Sequence, residues 1–300
     1  MKFGFVQLKT GGKKMYIQTW AVLCYTGDLS LDHSTTYLFE VTMNWLDFHC
    51  HLDMPEFNDT WAQILDECFE AGFSRIVTVA DPYEEGSMGR TLEILAYHDR
   101  VLAMIAAHPH KADLYSPEVE KRVLALLEHK KTVGAGETGL DFYYNFSTPK
   151  NQEKVFRRQI GIAREVGLPL TIHSREAEAV VLRILEEEKF DLPVVFHCYT
   201  GSMADAEEIL KRGYSISISG IVTFKKSDYL RDIVRLIPLG RLFTETDAPY
   251  LSPEPYRGKV NTPRRVEMVA ERAAGIKAID VSLLNDAVNG NFQRIFSPSP

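Results

Sequence analysis

The sequence predicts an α/β chain folded as a TIM-type (β/α)8 barrel, preceded by an unusual N-terminal extension. Three observations carry this. From about Asn44 onward, short apolar runs alternate with longer amphipathic ones, the pattern of strands each followed by a helix. Eight such short runs occur, and the segment 44–300 that contains them is close to the ~250 residues usual for that barrel. Histidines and carboxylates fall at the ends of these runs, where a parallel barrel gathers its functional side chains. A doubly wound open sheet shares the alternation and is the structural rival.

In chain order the strand candidates are WLDFHCH (45–51), RIVTVA (75–80), VLAMIAAH (101–108), TVGAGE (132–137), LPLTIH (168–173), PVVFH (193–197), YSISISG (214–220) and RLFTET (241–246). Helical periods lie at about 59–71, 86–99, 118–130, 150–166, 176–189, 203–212 and 262–275. In 118–130, Val119, Val123, Leu126 and Leu127 fall near one face, the spacing of a helix with one buried side. Pro117, Pro149 and Pro263 sit where helices begin, since a missing N–H costs nothing in the first turn. Ser202 is the candidate cap of the helix that follows it.

Residues 1–43 do not fit the repeat and form the N-terminal extension. KFGFVQLKTGGKKMYIQTW reads as a β-hairpin around Thr10-Gly11-Gly12, with a poorly ordered leader as the equal alternative. The tail FSPSP (296–300) reads as frayed. With 45% hydrophobic and 25% charged residues the chain is ordinary for a globular protein, and it lacks an apolar run of the ~18 residues that a membrane span needs. Four cysteines, at 24, 50, 68 and 198, form no CxxC pair; with no signal-peptide core at the start, the cytoplasm is the expected compartment. The net charge of −7 repels an anionic partner mildly, although bound divalent metals reverse the sign locally. Phosphate-loop and dinucleotide signatures are missing: GAGETG (134–139) lacks the GK[ST] ending.

The chemistry is concentrated in six positions. His49 and His51 end the first strand, Glu137 the fourth, His173 the fifth and His197 the sixth; Asp247 follows the eighth. In a parallel barrel these ends surround one mouth, and the two-residue period of a strand turns His49 and His51 to the same side. Four histidines and two carboxylates exceed the roughly three protein ligands of a catalytic zinc. They suit two divalent metal ions, with Glu137 bridging: His49, His51, Glu137 and Asp247 on one, Glu137, His173 and His197 on the other. The imidazole–carboxylate mix admits zinc, magnesium, manganese or iron. A single histidine after a strand is more often structural; six such residues at strand ends are not. His108 either points into the mouth toward a substrate oxygen or caps its loop. Asp47 faces the interior and needs a buried partner, Asp53 supports a ligand or caps a turn, and Cys50 and Cys198 turn away from the mouth. His33, His98 and His129 read as structural or surface residues.

The stretches LDFHCHLD (46–53), AAHPH (106–110), GETGLDFYYNFSTP (136–149), LPLTIHSRE (168–176), VVFHCYTG (194–201), TETDAPYLSPEPYRGKVNTP (244–263) and NGNFQRIF (289–296) resemble the TatD family of metal-dependent deoxyribonucleases, within the amidohydrolase-like barrels. The resemblance spans 44–296 and implies the same six metal ligands. It implies a substrate-side role for His108 and basic positions near the mouth at Arg175, Arg257 and Lys259. The sequence departs from the family's usual pattern in its long leader, in Thr138 where an aliphatic residue or cysteine is common, and in Thr262 where an acid is common.

The expected mechanism is metal-activated hydrolysis of a phosphodiester, with Asp247 handling the proton of the attacking water and Asp247 or His108 returning one to the leaving oxygen. Arg175, Arg257 and Lys259 would bind flanking phosphates, and Phe142, Tyr143 and Tyr144 would stack on bases of a single-stranded end, or else simply pack their loop. The family likeness implies a 3′→5′ exonuclease on DNA, with RNA as a further substrate. The rivals are a metal-dependent hydrolase of a small ester, lactone or amide, a deacylase of misacylated transfer RNA, and a non-catalytic scaffold. The shape of the cleft discriminates: a long positive groove favours nucleic acid and a closed apolar pocket a small substrate.

Overall fold

The computed structural model describes residues 4–10, 13–19 and 43–296. In the N-terminal segment, β1 (Gly4–Thr10) and β2 (Lys13–Thr19) pair antiparallel from Gly4↔Thr19 to Thr10↔Lys13, the hairpin pairing expected; its two connecting residues, Cys24 and His33 lie outside the described residues.

In the compact unit Thr42–Pro300, eight parallel strands form the barrel. They are β3 (Trp45–Cys50), β4 (Phe73–Ala80), β5 (Val101–Ile105), β6 (Thr132–Asp141), β7 (Leu170–Arg175), β8 (Val194–Phe196), β9 (Ser215–Ile218) and β10 (Leu242–Thr244), hydrogen-bonded in sequence order. Each rests under helices: α1 (Trp61–Glu70), α2 (Glu85–Tyr97), α3 (Pro117–Leu127), α4 (Pro149–Val166), α5 (Glu178–Glu187), α6 (Met203–Lys211), α7 (Asp228–Leu236), α8 (Val266–Lys277) and α9 (Val281–Phe296). All eight expected strands are present. The helices α7 and α9 were not predicted: α7 is short and densely charged around its buried Leu230, Ile233 and Val234, and α9 carries asparagines and Gly290 among its apolar positions, which weakens a helical signal.

Local chemistry sets the helix boundaries. Pro117 and Pro149 open α3 and α4, and the Ser116 and Thr148 hydroxyls accept from Val119 N–H and Asn151 N–H. Ser202 caps α6 by accepting from Asp205 N–H. Pro263 instead opens a short 3-10 turn, so α8 starts at Val266. Phe296, expected in a frayed tail, is the buried last residue of α9. Its ring lies 5.2 Å from Phe48 and 6.1 Å from Phe243, and against Gly134 of β6. It therefore packs under strands on opposite sides of the ring, where a buried phenylalanine is worth about 1.5–3 kcal/mol.

The ring of strands closes without a continuous ladder between β10 and β3. The seam is made just beyond β10. Asp47, fully buried, accepts from Thr246 N–H (2.8 Å) and Thr246 O–H (2.5 Å). Asp247 N–H donates to His49 C=O (2.9 Å) and His51 N–H to Ala248 C=O (2.7 Å). Thr246 is the buried partner that Asp47 requires. The same bonds fix the backbone of His49, His51 and Asp247.

Candidate metal centre

The strand ends bring the six expected ligands together. Glu137 is buried near the centre and faces two ways. Its Oε1 lies 2.6 Å from His173 Nδ1, 2.6 Å from His197 Nε2 and 3.2 Å from His108 Nε2. Its Oε2 faces His49 Nε2 at 3.5 Å and His51 Nε2 at 3.8 Å. Asp247 Oδ1 stands 3.4 Å from His51 Nε2 and 3.7 Å from His49 Nε2. Asp247 holds a left-handed backbone, φ 55°, a conformation that non-glycine residues keep only where surrounding bonds impose it; the seam supplies those bonds.

This donor set fits divalent cations. His49 Nε2 and His51 Nε2 approach to 3.3 Å beside Asp247 Oδ1 and Glu137 Oε2, a convergence of imidazole nitrogens and carboxylate oxygens of the kind that divalent zinc, manganese or iron accepts. His49, His51 and Asp247 form one group of converging ligand atoms and His108, Glu137 and His173 another. Outer partners orient the rings, as is usual for metal-binding histidines: His173 Nε2 meets Asp141 Oδ2 at 2.9 Å and His197 Nδ1 meets Glu245 Oε1 at 3.2 Å.

The TatD related DNase family profile matches residues 46–297. The chain belongs to the TatD family. It is 38% identical over 258 residues to the metal-dependent hydrolase YcfH of Escherichia coli K12, covering 84% of this chain and 95% of the relative. It is 35% identical over 251 residues to the metal-dependent hydrolase YabD of Bacillus subtilis, covering 83% and 98%. A 3′-5′ ssDNA/RNA exonuclease TatD of Enterobacter lignolyticus is 32% identical over 256 residues, covering 83% and 98%. The crystal structure of YJJV, a TatD homolog from Escherichia coli, superposes with a TM-score of 0.78 at 25% identity, covering 85% and 98%. This TatD-family chain is thus a metal-dependent hydrolase with an amidohydrolase-like barrel.

The electrostatics of the TatD-family site follow from packing many ionisable groups out of water. Burial alone would raise Glu137, but the charges of His197 and His108 and the hydrogen bonds of His108 and His173 hold it well below the usual carboxylate range. Burial would lower His51; the hydrogen bond and charge of Asp247 overcome this and push it up to about 9. Burial lowers His108 to about 4 against the pull of Glu137. His108 Nδ1 accepts from His110 N–H, so the neutral ring carries its proton on Nε2, which faces the cavity. His108 therefore both caps its turn and addresses the site.

At pH 7 a raised His51 is protonated in the metal-free protein, and a cation must displace that proton. Zinc or manganese binding is accordingly expected to release protons, and apparent affinity to rise with pH up to about 9. The stability that protonated His51 lends the metal-free fold is full below its unfolded value of about 6.5 and is lost as pH rises through about 9. Calorimetric titration in two buffers of different ionisation enthalpy checks this: a binding heat independent of buffer would contradict it.

Other expected residues are placed differently. Arg175 lines the cavity of about 670 Å³ at the ring, with its guanidinium 4.2 Å from the Tyr143 ring and 4.7 Å from the Tyr144 ring. Arg257 and Lys259 are exposed and do not line the cavity; Arg257 stacks on Phe224 (4.2 Å) and Lys259 lies over Tyr256 (5.9 Å). Phe142, in the turn after β6, packs against the core, whereas Tyr143 and Tyr144 are exposed. Cys198, expected to turn away, lines the cavity with its thiol on Ser219 Oγ (3.2 Å), since a positive φ of 44° swings it round. Cys50 is fully buried, with its thiol on Val77 C=O. Asp53 does not touch a ligand histidine; it accepts from Ser87 O–H and Asp81 N–H and holds its loop.

The sequence reading missed His110, Asp141 and Glu245. Asp141 Oδ2 joins His110 Nε2 (2.8 Å) to His173 Nε2 (2.9 Å). The available signal is spacing: Asp141 stands at an even step from Glu137 on a strand that runs four residues beyond the expected 132–137, and Glu245 stands at an even step from Asp247 inside the expected strand 241–246.

Proposed function

We propose that the protein is a two-metal phosphodiesterase that removes nucleotides from single-stranded DNA ends, 3′→5′, and accepts RNA ends. The observation that carries this reading is the rim of exposed aromatic side chains beside the ligand ring. Tyr144, Phe146 and Tyr250 line the cavity, and Tyr143 stands on the outer side of Arg175; they are 46%, 65%, 49% and 52% exposed. Water-exposed rings at a cavity mouth suit base stacking, worth about 1–3 kcal/mol per base, and a small ester has no use for them. The Enterobacter relative named as an ssDNA/RNA exonuclease supports the same substrate class. The charge pattern does not draw DNA from afar: Lys111 is paired with Asp81, which leaves Arg175 as the cavity's free cation among the described residues. Stacking and local contacts therefore do most of the holding.

His49, His51, Glu137 and Asp247 would hold one divalent ion, and Glu137, His173 and His197 the other. Such ions polarise a phosphoryl oxygen and acidify water. Around them, Arg175 offers a planar fork to a phosphate, braced by Tyr143 and Tyr144. Neutral His108 donates from Nε2 to a phosphoryl oxygen. Asp247, held ionised by His51, His49 and His197 against the effect of burial, accepts the proton of the attacking water and can return it to the leaving oxygen. Asp141 and Glu245 keep His173 and His197 in register.

The test is the full chain with manganese or magnesium and 5′-labelled single-stranded DNA. A ladder of products shortening one nucleotide at a time is expected, and it should vanish with EDTA. Internal cuts alone, or inert DNA with brisk hydrolysis of small esters, would replace this reading.

A further inference from the structure

A second cavity, of about 640 Å³, adjoins the ring and is not part of it. It shares Arg175, Thr200 and Ile221 with the first, so one molecule can reach from one into the other past the guanidinium. We propose that this cavity is a base subsite that selects nucleobases carrying an exocyclic amino group, with Glu178 and Asp205 as the acceptors. The proposal rests on the nucleic-acid reading above and names what that reading leaves open, the base preference.

Its chemistry excludes a phosphate. The carboxylates of Glu176, Glu178 and Asp205 line it, against the single cation Arg175 at its border. A phosphate is held at the Arg175 side and the neutral base is left for the acidic side. Tyr143 and Tyr229, both about half exposed, supply flat apolar walls.

The acceptors are fixed in place. Glu178 is only 6% exposed, and its Oε2 takes Ala177 N–H at 3.0 Å. Asp205 Oδ2 takes Ser202 O–H at 2.5 Å. Gly201 keeps the approach open: a side chain there would stand 2.9 Å from Glu178 Oε1 and 2.7 Å from the Tyr199 hydroxyl. A buried carboxylate anchored by one oxygen calls for a donor at the other. Cytosine and adenine bring an amino group to their polar edge, where thymine and uracil bring a carbonyl oxygen that a carboxylate repels.

The experiment compares short fluorescent oligo(dC) and oligo(dT) on the full chain. Binding is followed by anisotropy in EDTA and cleavage with manganese. Oligo(dC) is expected to bind about tenfold or more tightly than oligo(dT), and the preference to collapse in both Asp205→Asn and Glu178→Gln with oligo(dT) cleavage kept. Melting curves identify a variant that fails to fold; the intact one of the pair then decides. Equal binding with both oligomers cleaved, or a preference that survives both substitutions, overturns the subsite and leaves the nuclease reading standing. A dC preference without cleavage supports the subsite and removes the nuclease reading. No binding and no cleavage of either oligomer sinks both, and cleavage of both at equal rates without binding in EDTA overturns the subsite alone.

Discussion

Glu137→Ala is expected to lower kcat/KM by about a thousandfold or more, equivalent to about 4 kcal/mol of transition-state stabilisation, and to cut the bound divalent metal to half or less. Glu137 offers an oxygen to each ligand group: Oε1 serves His173, His197 and His108, and Oε2 faces His49 and His51. Removing it takes a ligand from each proposed ion at once, and leaves buried imidazoles facing one another without a counter-charge. Metal content by mass spectrometry, with turnover at saturating manganese, reads the two effects separately. Turnover close to wild type would end the shared-carboxylate arrangement. Loss of turnover with full metal content would move Glu137 from ligand to proton carrier.

Asp47→Ala should be the most damaging substitution away from the ring. Asp47 is fully buried and accepts two hydrogen bonds from Thr246 at the seam. Its truncation strands a buried N–H and a buried hydroxyl, at about 1–3 kcal/mol each. A loss of about 2–6 kcal/mol follows, or about 10 °C in Tm for a domain of this size. Metal affinity should fall as well, because the same seam places Asp247 and His49 through the Asp247 N–H bond to His49 C=O. Asp47→Asn keeps an acceptor for Thr246 N–H and should cost less than half as much. Thermal melts of both variants with and without zinc check this; an unchanged Tm for Asp47→Ala would show that the seam bonds are not what closes the barrel.

The sequence made the barrel and the six converging ligands legible for one physical reason. In a parallel barrel all strand ends open on one face, so His49, His51, Glu137, His173, His197 and Asp247 could be grouped without coordinates. What lay just past those ends was harder to read. β6 runs on to Asp141, past the expected end at Glu137, so Asp141 falls in what reads as a loop; Glu245 lies within the expected strand 241–246, but its partner His197 is 48 positions away and no local spacing joins them. His110 enters because the chain turns tightly after His108. Arg257 and Lys259 were legible as basic but not as outward-facing: their partners, Phe224 and Tyr256, belong to loops whose path no periodicity encodes. Phe142 and Tyr143 are neighbours in the turn after β6, yet one packs against the core and the other is exposed, a difference that no strand or helix period encodes.

The seam also dates the site within the folding of the chain. Asp47 and Thr246 are 199 positions apart, and a contact of such long range closes a large loop at a high entropic toll. The neighbouring strand pairs can zip up locally, one βα unit after another, but the first and last strands meet only when all the others are in place. Since His49, His51 and Asp247 straddle that junction, a half-folded or half-synthesised chain has no complete cation cage. Hydrolytic competence is thereby reserved for the finished ring, and recovery of activity after denaturation would report the final closing event rather than the collapse that precedes it.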